Sequence, residues 1–400
     1  MKKISFNLLG FIIFIVSFFW FKICASHLIS FQIDHEPVLL YTREYLLEHF
    51  LAYGGVSELF ARFIMQFYVN PWLGAAVLAL MTVVFISRAF TISEGKGAIS
   101  ILLWIVVLAF ITIAEGALVG IIAFSIVLKT IGDQETLARS NRTLWWYRFV
   151  ALPLLILFTG SWAWLYVVVI IFRDSFGERK FTGITHFYIL YAAILAIVAH
   201  RVIWPTSLEA LLLGSFPTDS FWGIALFIVA IATMLYSALP KKEYPVLTYF
   251  LSFAALTLFV VITIVNYNDQ QRISERWRTH IKTGQYTKLI HEAEKKAPQD
   301  RIQTLYLNYA LAKENRLLDD MFTFSQSYGS EGLLPNPHRG ITTRNVNEFW
   351  FIGHYYYEIG YIDKAHRIAV DELVFNGVTP SYTKLMVKCL MADGHINAAE

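Results

Sequence analysis

Residues 246–278 read VLTYFLSFAALTLFVVITIV followed by NYNDQQRISERWR, and within this stretch the chain changes solvent. Val246–Val265 carries no charge and has about the length that crosses a hydrocarbon core. From Asn266 onward polarity returns at once, with Asp269, Arg272, Glu275, Arg276 and Arg278. Outward from this junction the two sides differ throughout. Residues 1–266 are dominated by long apolar runs, and residues 267–400 are polar and carry a helical repeat. The fold class expected is all-α: a polytopic helical membrane bundle over 1–266 followed by an α-solenoid over 267–400.

Composition agrees. Hydrophobic residues make up 56% of the chain and charged ones only 16%, with a mean hydropathy of +0.51. Soluble domains carry about 25% charged residues. The net charge of +3 is too small to imply nucleic acid, so no nucleic-acid partner is expected. Two cysteines, Cys24 and Cys389, supply neither a disulfide framework nor metal-ligand spacing. Lys2 and Lys3 precede the run Ile4–Cys24, which is long enough to span and longer than a signal-peptide core, so it reads as a retained anchor.

Further spans are expected at Pro71–Phe90, His186–Val202, Phe221–Leu239 and Val246–Val265. Two stretches are ambiguous. Ala98–Leu128 is long for one span and has Glu115-Gly116 at its middle, and Phe149–Phe172 is interrupted by Thr159-Gly160-Ser161. Each is either one tilted helix or a short hairpin. Basic residues favour cytoplasmic loops. With Lys2 and Lys3 inside, splitting both stretches gives nine spans. Arg88, Lys96, Arg139, Arg142, Arg148, Arg173, Arg179, Lys180, Lys241 and Lys242 then lie in inside loops, and only Arg43, Arg62 and Arg201 lie outside. Joining both gives seven spans. Joining one places Lys241-Lys242 outside. Nine is the reading taken and seven the alternative; both put the C-terminal domain outside the cytoplasm. Trp145-Trp146-Tyr147, Trp162, Trp164 and Trp204 fall near the expected interfaces, where rings with one wet edge are favoured.

The polar half repeats. Phe349–Ala365 resembles a tetratricopeptide repeat, with Gly353 and Tyr356 in its first helix, Gly360 at the turn, and Ala365 and Ala369 in its second helix. Gly394 recurs 34 residues after Gly360. Lys282-Thr283-Gly284-Gln285-Tyr286 is an earlier copy and Asn315 marks a degenerate one. Ser330–Asn345, rich in Gly and Pro, interrupts the array as a loop. Glu400 falls within a second helix with no polar cap, so the natural chain is expected to continue.

Candidate chemistry centres on the loop 25–70, where Thr42–Phe50 and Val56–Tyr68 read as interfacial amphipathic helices. Asp34-His35-Glu36-Pro37 precedes them. Two carboxylates two apart in a loop can converge on a cation or a hydroxyl, and His35 can move a proton near neutral pH. Glu115 would face the same side if its stretch is a hairpin. Arg62 and Arg201 have the forked donors that suit a lipid phosphate, and Gln66 suits a polar cavity. This layout resembles the C superfamily of glycosyltransferases, polytopic enzymes with an acidic pair in the first external loop. That resemblance implies Asp34 as base on the acceptor, Glu36 as its support or a ligand of a divalent metal, and a lipid-phosphate sugar donor.

A second resemblance rests on Tyr53-Gly54-Gly55, Gln66-Phe67-Tyr68 and Pro71-Trp72-Leu73-Gly74-Ala75, and extends into Pro153–Trp164. These segments resemble a family of polytopic bacterial membrane proteins, chiefly of the Bacteroidota, filed as a domain of unknown function. The resemblance implies a Gram-negative inner membrane, with the outside as periplasm. Two functions remain open. One is a transferase acting at the periplasmic face on a lipid-linked donor, with the repeats gripping a protein or glycan acceptor. The other is a non-enzymatic scaffold, surrounded by membrane lipids, whose repeats recruit envelope partners.

Overall fold

The computed structural model describes residues 6–23, 38–92, 102–109, 117–137, 141–176, 183–205, 207–213, 269–334 and 346–395, with isolated helical positions at 228, 231, 250, 253, 254, 257, 260, 261 and 397. Among these residues every regular element is helical and no strand occurs. The chain forms two compact units. Leu39–Tyr267 falls in the first, and Asn268–Glu400 in the second together with Val38.

In the first unit, α1 (Phe6–Ile23) lies antiparallel to α4 (Pro71–Ile92). The Phe18 and Trp72 rings are 6.1 Å apart, Lys22 sits over Trp72, and Gly10 faces Val83. Between them come α2 (Arg43–Leu51), capped by Thr42, and α3 (Gly55–Met65), which ends in the 3-10 turn Gln66–Val69. Pro71 opens α4, where its missing N–H costs nothing, and the Asn70 side chain accepts from the Trp72 N–H. The helix α5 (Ala117–Leu137) runs beyond the expected limit at Leu128. It packs on α4 through Phe85 and Phe124. The expected break at Glu115-Gly116 lies outside the described residues.

Among the described residues three apolar helical stretches are long enough to cross a membrane, Pro71–Ala89, Thr143–Ser175 and Thr185–Ile203. The middle one is not a straight rod. Arg148 and Asp174 are 26 residues apart, which is about 39 Å along a continuous helix, yet their side chains meet at 2.7 Å. The chain reverses at the 3-10 turn Gly160–Trp162, between α6 (Asn141–Thr159) and α7 (Ala163–Phe176). Gly160, at φ 59°, supplies the left-handed step. Of the two readings open for Phe149–Phe172, the hairpin is the one observed. α8 (Gly183–Val198) packs beside it, Phe149 meeting Tyr191 at 4.2 Å, and closes with a π-turn, Ala199–Ile203. A short helix, α9 (Leu208–Leu213), follows. Phe221–Leu239 and Val246–Val265 lie almost wholly outside the described residues.

Two expectations need correcting. Trp162 is not an interfacial anchor: it is buried against Phe124, because the turn that carries it is packed inside the unit. Arg148 is not a loop residue. It sits within α6, buried, where Asp174 supplies the opposite charge.

The second unit is built from helix–turn units: α10 (Asp269–Lys282) with α11 (Tyr286–Lys295), α12 (Arg301–Lys313) with the short α13 (Leu317–Asp320), α14 (Val346–Glu358) with α15 (Ile362–Asn376), and α16 (Pro380–Ala392). Gly284, Asn315, Gly360 and Gly394 end the first helix of each unit, all at positive φ. All four turns share one hydrogen-bond pattern. The turn residue donates to the carbonyl three back, and the next residue to the carbonyl five back, as in Arg316 to Leu311 and Tyr361 to Tyr356. That is the Schellman closure, which satisfies the last carbonyls of a helix. The turn glycines 360 and 394 keep the 34-residue interval, while Asn315 to Gly360 is 45, the excess falling at the insertion. The start of that insertion is a pinned 3-10 turn, Gly329–Gly332. Asn308 donates to the Gly332 carbonyl and Tyr355 to that of Leu333. Trp277, Leu289, Tyr306, Leu307, Phe351 and Tyr382 form the main core of this unit.

Candidate functional site at the hairpin tip and on the repeats

In the first unit the hairpin tip is a hub. Thr159, Ser161 and Trp162 are buried, and the Tyr53-Gly54-Gly55 break between α2 and α3 lies on them. A Cβ on Gly54 would meet the Gly160 nitrogen at 3.0 Å, so backbone touches backbone here. Ser57 donates to the Phe158 carbonyl at 2.6 Å. The Leu211 carbonyl, in α9, receives the Tyr53 hydroxyl, Ser161 Oγ at 3.2 Å and Trp164 Nε1 at 3.2 Å. Trp204 donates from Nε1 to the Leu51 carbonyl at 3.0 Å, and its ring lies 5.4 Å from that of Tyr53. Non-helical backbone in an apolar bundle must be satisfied by protein groups, and these donors do so. The hub fixes α2 and α3 as one rigid platform. On its other side Phe60, Phe63 and Phe67 stand exposed in a row, with ring spacings of 6.4 and 5.7 Å.

About 20 Å of helix from the tip, the hairpin legs hold a buried polar cluster. Arg148 donates to both carboxylate oxygens of Asp174, at 2.7 and 2.9 Å, and Thr185 adds a third bond at 3.0 Å. Tyr188 lies beneath the guanidinium, 5.9 Å from ring to charge. Tyr166 donates to Gln134 at 2.9 Å, and Tyr147 to the Thr130 carbonyl at 3.2 Å. The sequence reading missed this cluster. Its signal was there, because Arg148 and Asp174 stand at nearly equal distances on either side of Gly160 and become neighbours once a hairpin forms.

On the repeats the first helices of several units share a basic and aromatic face. Trp350 is buried, with Arg278 and Lys282 over its ring at 4.7 and 4.8 Å and His354 5.0 Å away. Lys388 lies over the Tyr357 ring at 5.5 Å. His354 is pushed down to about 4, first by burial and then by Lys388 and Lys282, with Lys384 adding to them and Glu358 opposing. Elsewhere in the unit burial raises the Asp300 carboxyl above its usual range and pushes the Cys389 thiol up to about 11.

A family model described as a family of unknown function, DUF6057, matches residues 1–400. The chain belongs to the DUF6057 family. A search of curated proteins found no match, and neither did a search of solved structures.

In this DUF6057 chain the expected site residues are placed as follows. Asp34, His35, Glu36 and Glu115 lie outside the described residues. Val38, two residues after Glu36, donates its N–H to the Val378 carbonyl at 2.8 Å. Arg62, on α3, is mostly buried, bonded to the Glu58 carboxylate and the Tyr45 hydroxyl, and its guanidinium lies 5.8 Å from the Tyr45 ring. Gln66 accepts from the Tyr41 hydroxyl at 3.0 Å. Both belong to the platform. Arg201 is exposed in the π-turn that leads to Trp204. Among the described residues no three His, Cys, Asp or Glu side chains are grouped to hold a metal ion.

Proposed function

We propose that this DUF6057 chain is a multipass protein of a bacterial inner membrane whose tetratricopeptide-like repeats, on the periplasmic side, recruit a cell-envelope partner. The observation that carries this reading is the set of four identically closed turns, which stacks short helices into an array directly after the last apolar run. Stacked helix pairs present extended surfaces, and such surfaces bind. The tetratricopeptide reading is supported by Gly353, where a Cβ would meet Leu385 at 2.7 Å, and by Ala365 and Ala369, both fully buried at the same helix contact. Nine spans fit this reading, with the exposed phenylalanines of α3 turned to the lipid interface. The test is site-specific photocrosslinking in cells, with the probe at Lys384 on α16 and at Arg367 on α15. One discrete adduct from Lys384 alone supports recruitment, and no adduct from any repeat position rejects it.

A second reading, transfer from a lipid-phosphate donor, rests on the sequence, where Asp34 and Glu36 precede the α2–α3 platform. Asp34 would be the base and Glu36 its support or metal ligand, with Glu115 contributing from its own stretch. His35, Arg62, Gln66 and Arg201 would bind substrate. Since Arg62 is already paired with Glu58, Arg201 is the freer phosphate partner. Asp34→Asn, at unchanged protein level, should remove the cellular phenotype of the wild-type gene, and an unaffected strain rejects the transferase.

A further inference from the structure

On the repeat unit, lysines from two helices gather around one imidazole. Lys282 ends α10, Lys384 and Lys388 lie one turn apart on α16, and all three are close enough to His354 on α14 to disfavour its protonation. Two helices far apart in sequence therefore bring their lysines to the imidazole of a third. Lys384 is exposed and Lys388 is half-buried, and among the described residues neither has an ion-pair partner. Glu358, a carboxylate near His354, is already held by Lys313 at 2.6 Å. Beneath, the buried Trp350 ring carries Arg278 and Lys282, and Tyr357 sits under Lys388. Elsewhere in the unit His291 pairs with Glu294, Arg301 with Glu331 and Arg316 with Asp320.

We infer that the face formed by Lys282, His354, Tyr357, Lys384 and Lys388 binds a carboxylate-rich peptide segment of the recruited partner. Lysines on two helices around one imidazole suit carboxylates spaced along a chain. Three clustered ammonium groups are too few and too local for a lipid headgroup layer, where each basic residue adds only about 1 kcal/mol. The half-buried rings of His354 and Tyr357 give the segment's apolar atoms a surface between the charges. His354 stays neutral at pH 7 and so can accept or donate one hydrogen bond without adding to the charge.

This inference rests on the recruitment reading, and its test keeps the two apart. The full chain in nanodiscs of zwitterionic lipid is titrated against a fluorescein-labelled glutamate–glycine peptide and its glutamine–glycine counterpart, read by anisotropy. Binding of the glutamate peptide only, weakened about tenfold in Lys384→Glu/Lys388→Glu and unchanged in the control Lys288→Glu/Lys295→Glu on α11, is the result expected. Equal loss in both double variants, or equal binding of the glutamine peptide, overturns it. So does a Lys384/Lys388 reversal that lowers binding to phosphatidylglycerol vesicles while sparing the peptide. Lys384→Ala/Lys388→Ala repeats the test without reversing charge, and an unchanged thermal melt shows that the fold persists. A photocrosslinked adduct from the Lys384 probe that survives Lys388→Glu leaves recruitment standing and removes the acidic segment.

Discussion

Arg148 and Asp174 show what one residue pair does in an apolar bundle. Each alone would be a charge in a low-dielectric setting; together they form a two-pronged bond that Thr185 completes. Breaking such a pair by removing one partner costs about 3–5 kcal/mol, while replacing both with apolar residues is often neutral. Arg148→Met and Asp174→Leu should therefore each lower the melting temperature in detergent sharply, and the double variant should recover most of the loss. Additive losses would mean that the two charges act separately. His354 makes the corresponding case on the repeats. Its folded pKa of about 4 lies below the unfolded value of 6.5, so the unfolded chain binds the extra proton. The contribution of neutral His354 is complete above pH 6.5 and is lost progressively as pH falls towards 4. His354→Asn should flatten the dependence of repeat stability on pH across that window, as measured by chemical denaturation. Lys388→Ala should raise the lower edge of that window and so narrow it, because it removes the strongest charge opposing protonation.

At the scale of elements, the α6–α7 hairpin is decided by its ends as much as by its turn. Thr159-Gly160-Ser161 could be read from sequence as an interruption, but an interruption fits a kinked rod as well as a reversal. What separates them is a contact between residues 26 apart, which no local pattern encodes. In a chain with Cys24→Ser and Cys389→Ser, the substitutions Thr143→Cys and Ser175→Cys should be labelled by a membrane-impermeant maleimide from the same side. Labelling from opposite sides would restore the single tilted helix. The repeat turns were legible for a different reason, since a Schellman closure needs its left-handed residue at a fixed place and Gly announces it. Two glycines there should fail differently. Gly360→Ala meets open space and is strained only by its φ of 85°, a cost of about 1–2 kcal/mol. Gly353→Ala has ordinary helical geometry but drives a methyl into Leu385 and Ile368, a cost of about 1–3 kcal/mol set by how far Leu385 can move. Combining Gly353→Ala with Leu385→Ala should restore part of the stability in a thermal melt, whereas Gly360→Ala should gain nothing from it.

For the whole molecule the question is parity. A hairpin adds two crossings or none, so the side on which the chain emerges after Phe176 does not depend on how deep α6 and α7 reach. Ala98–Leu128 then decides the rest. As one crossing it makes the total even, places the repeats in the cytoplasm and sends Lys241-Lys242 outside, against the bias of basic loops. As two crossings it makes the total odd. The candidate chemistry is less legible than this layout, because Asp34 and Glu36 form a motif of two residues, Arg148 reads in sequence as a loop residue and nothing local points to Asp174. An enzyme reporter active only outside the cytoplasm should work when fused after Asn268 and fail when fused after Gly97. Fused after Glu115 it should work again, since the nine-span reading puts that position outside. Activity after Asn268 without activity after Glu115 would leave the topology standing while joining Ala98–Leu128 into one helix, and would then require a different crossing between Gly183 and Asn268 to restore the odd count. A cytoplasmic Asn268 would reject both the periplasmic repeats and the recruitment of an envelope partner through them.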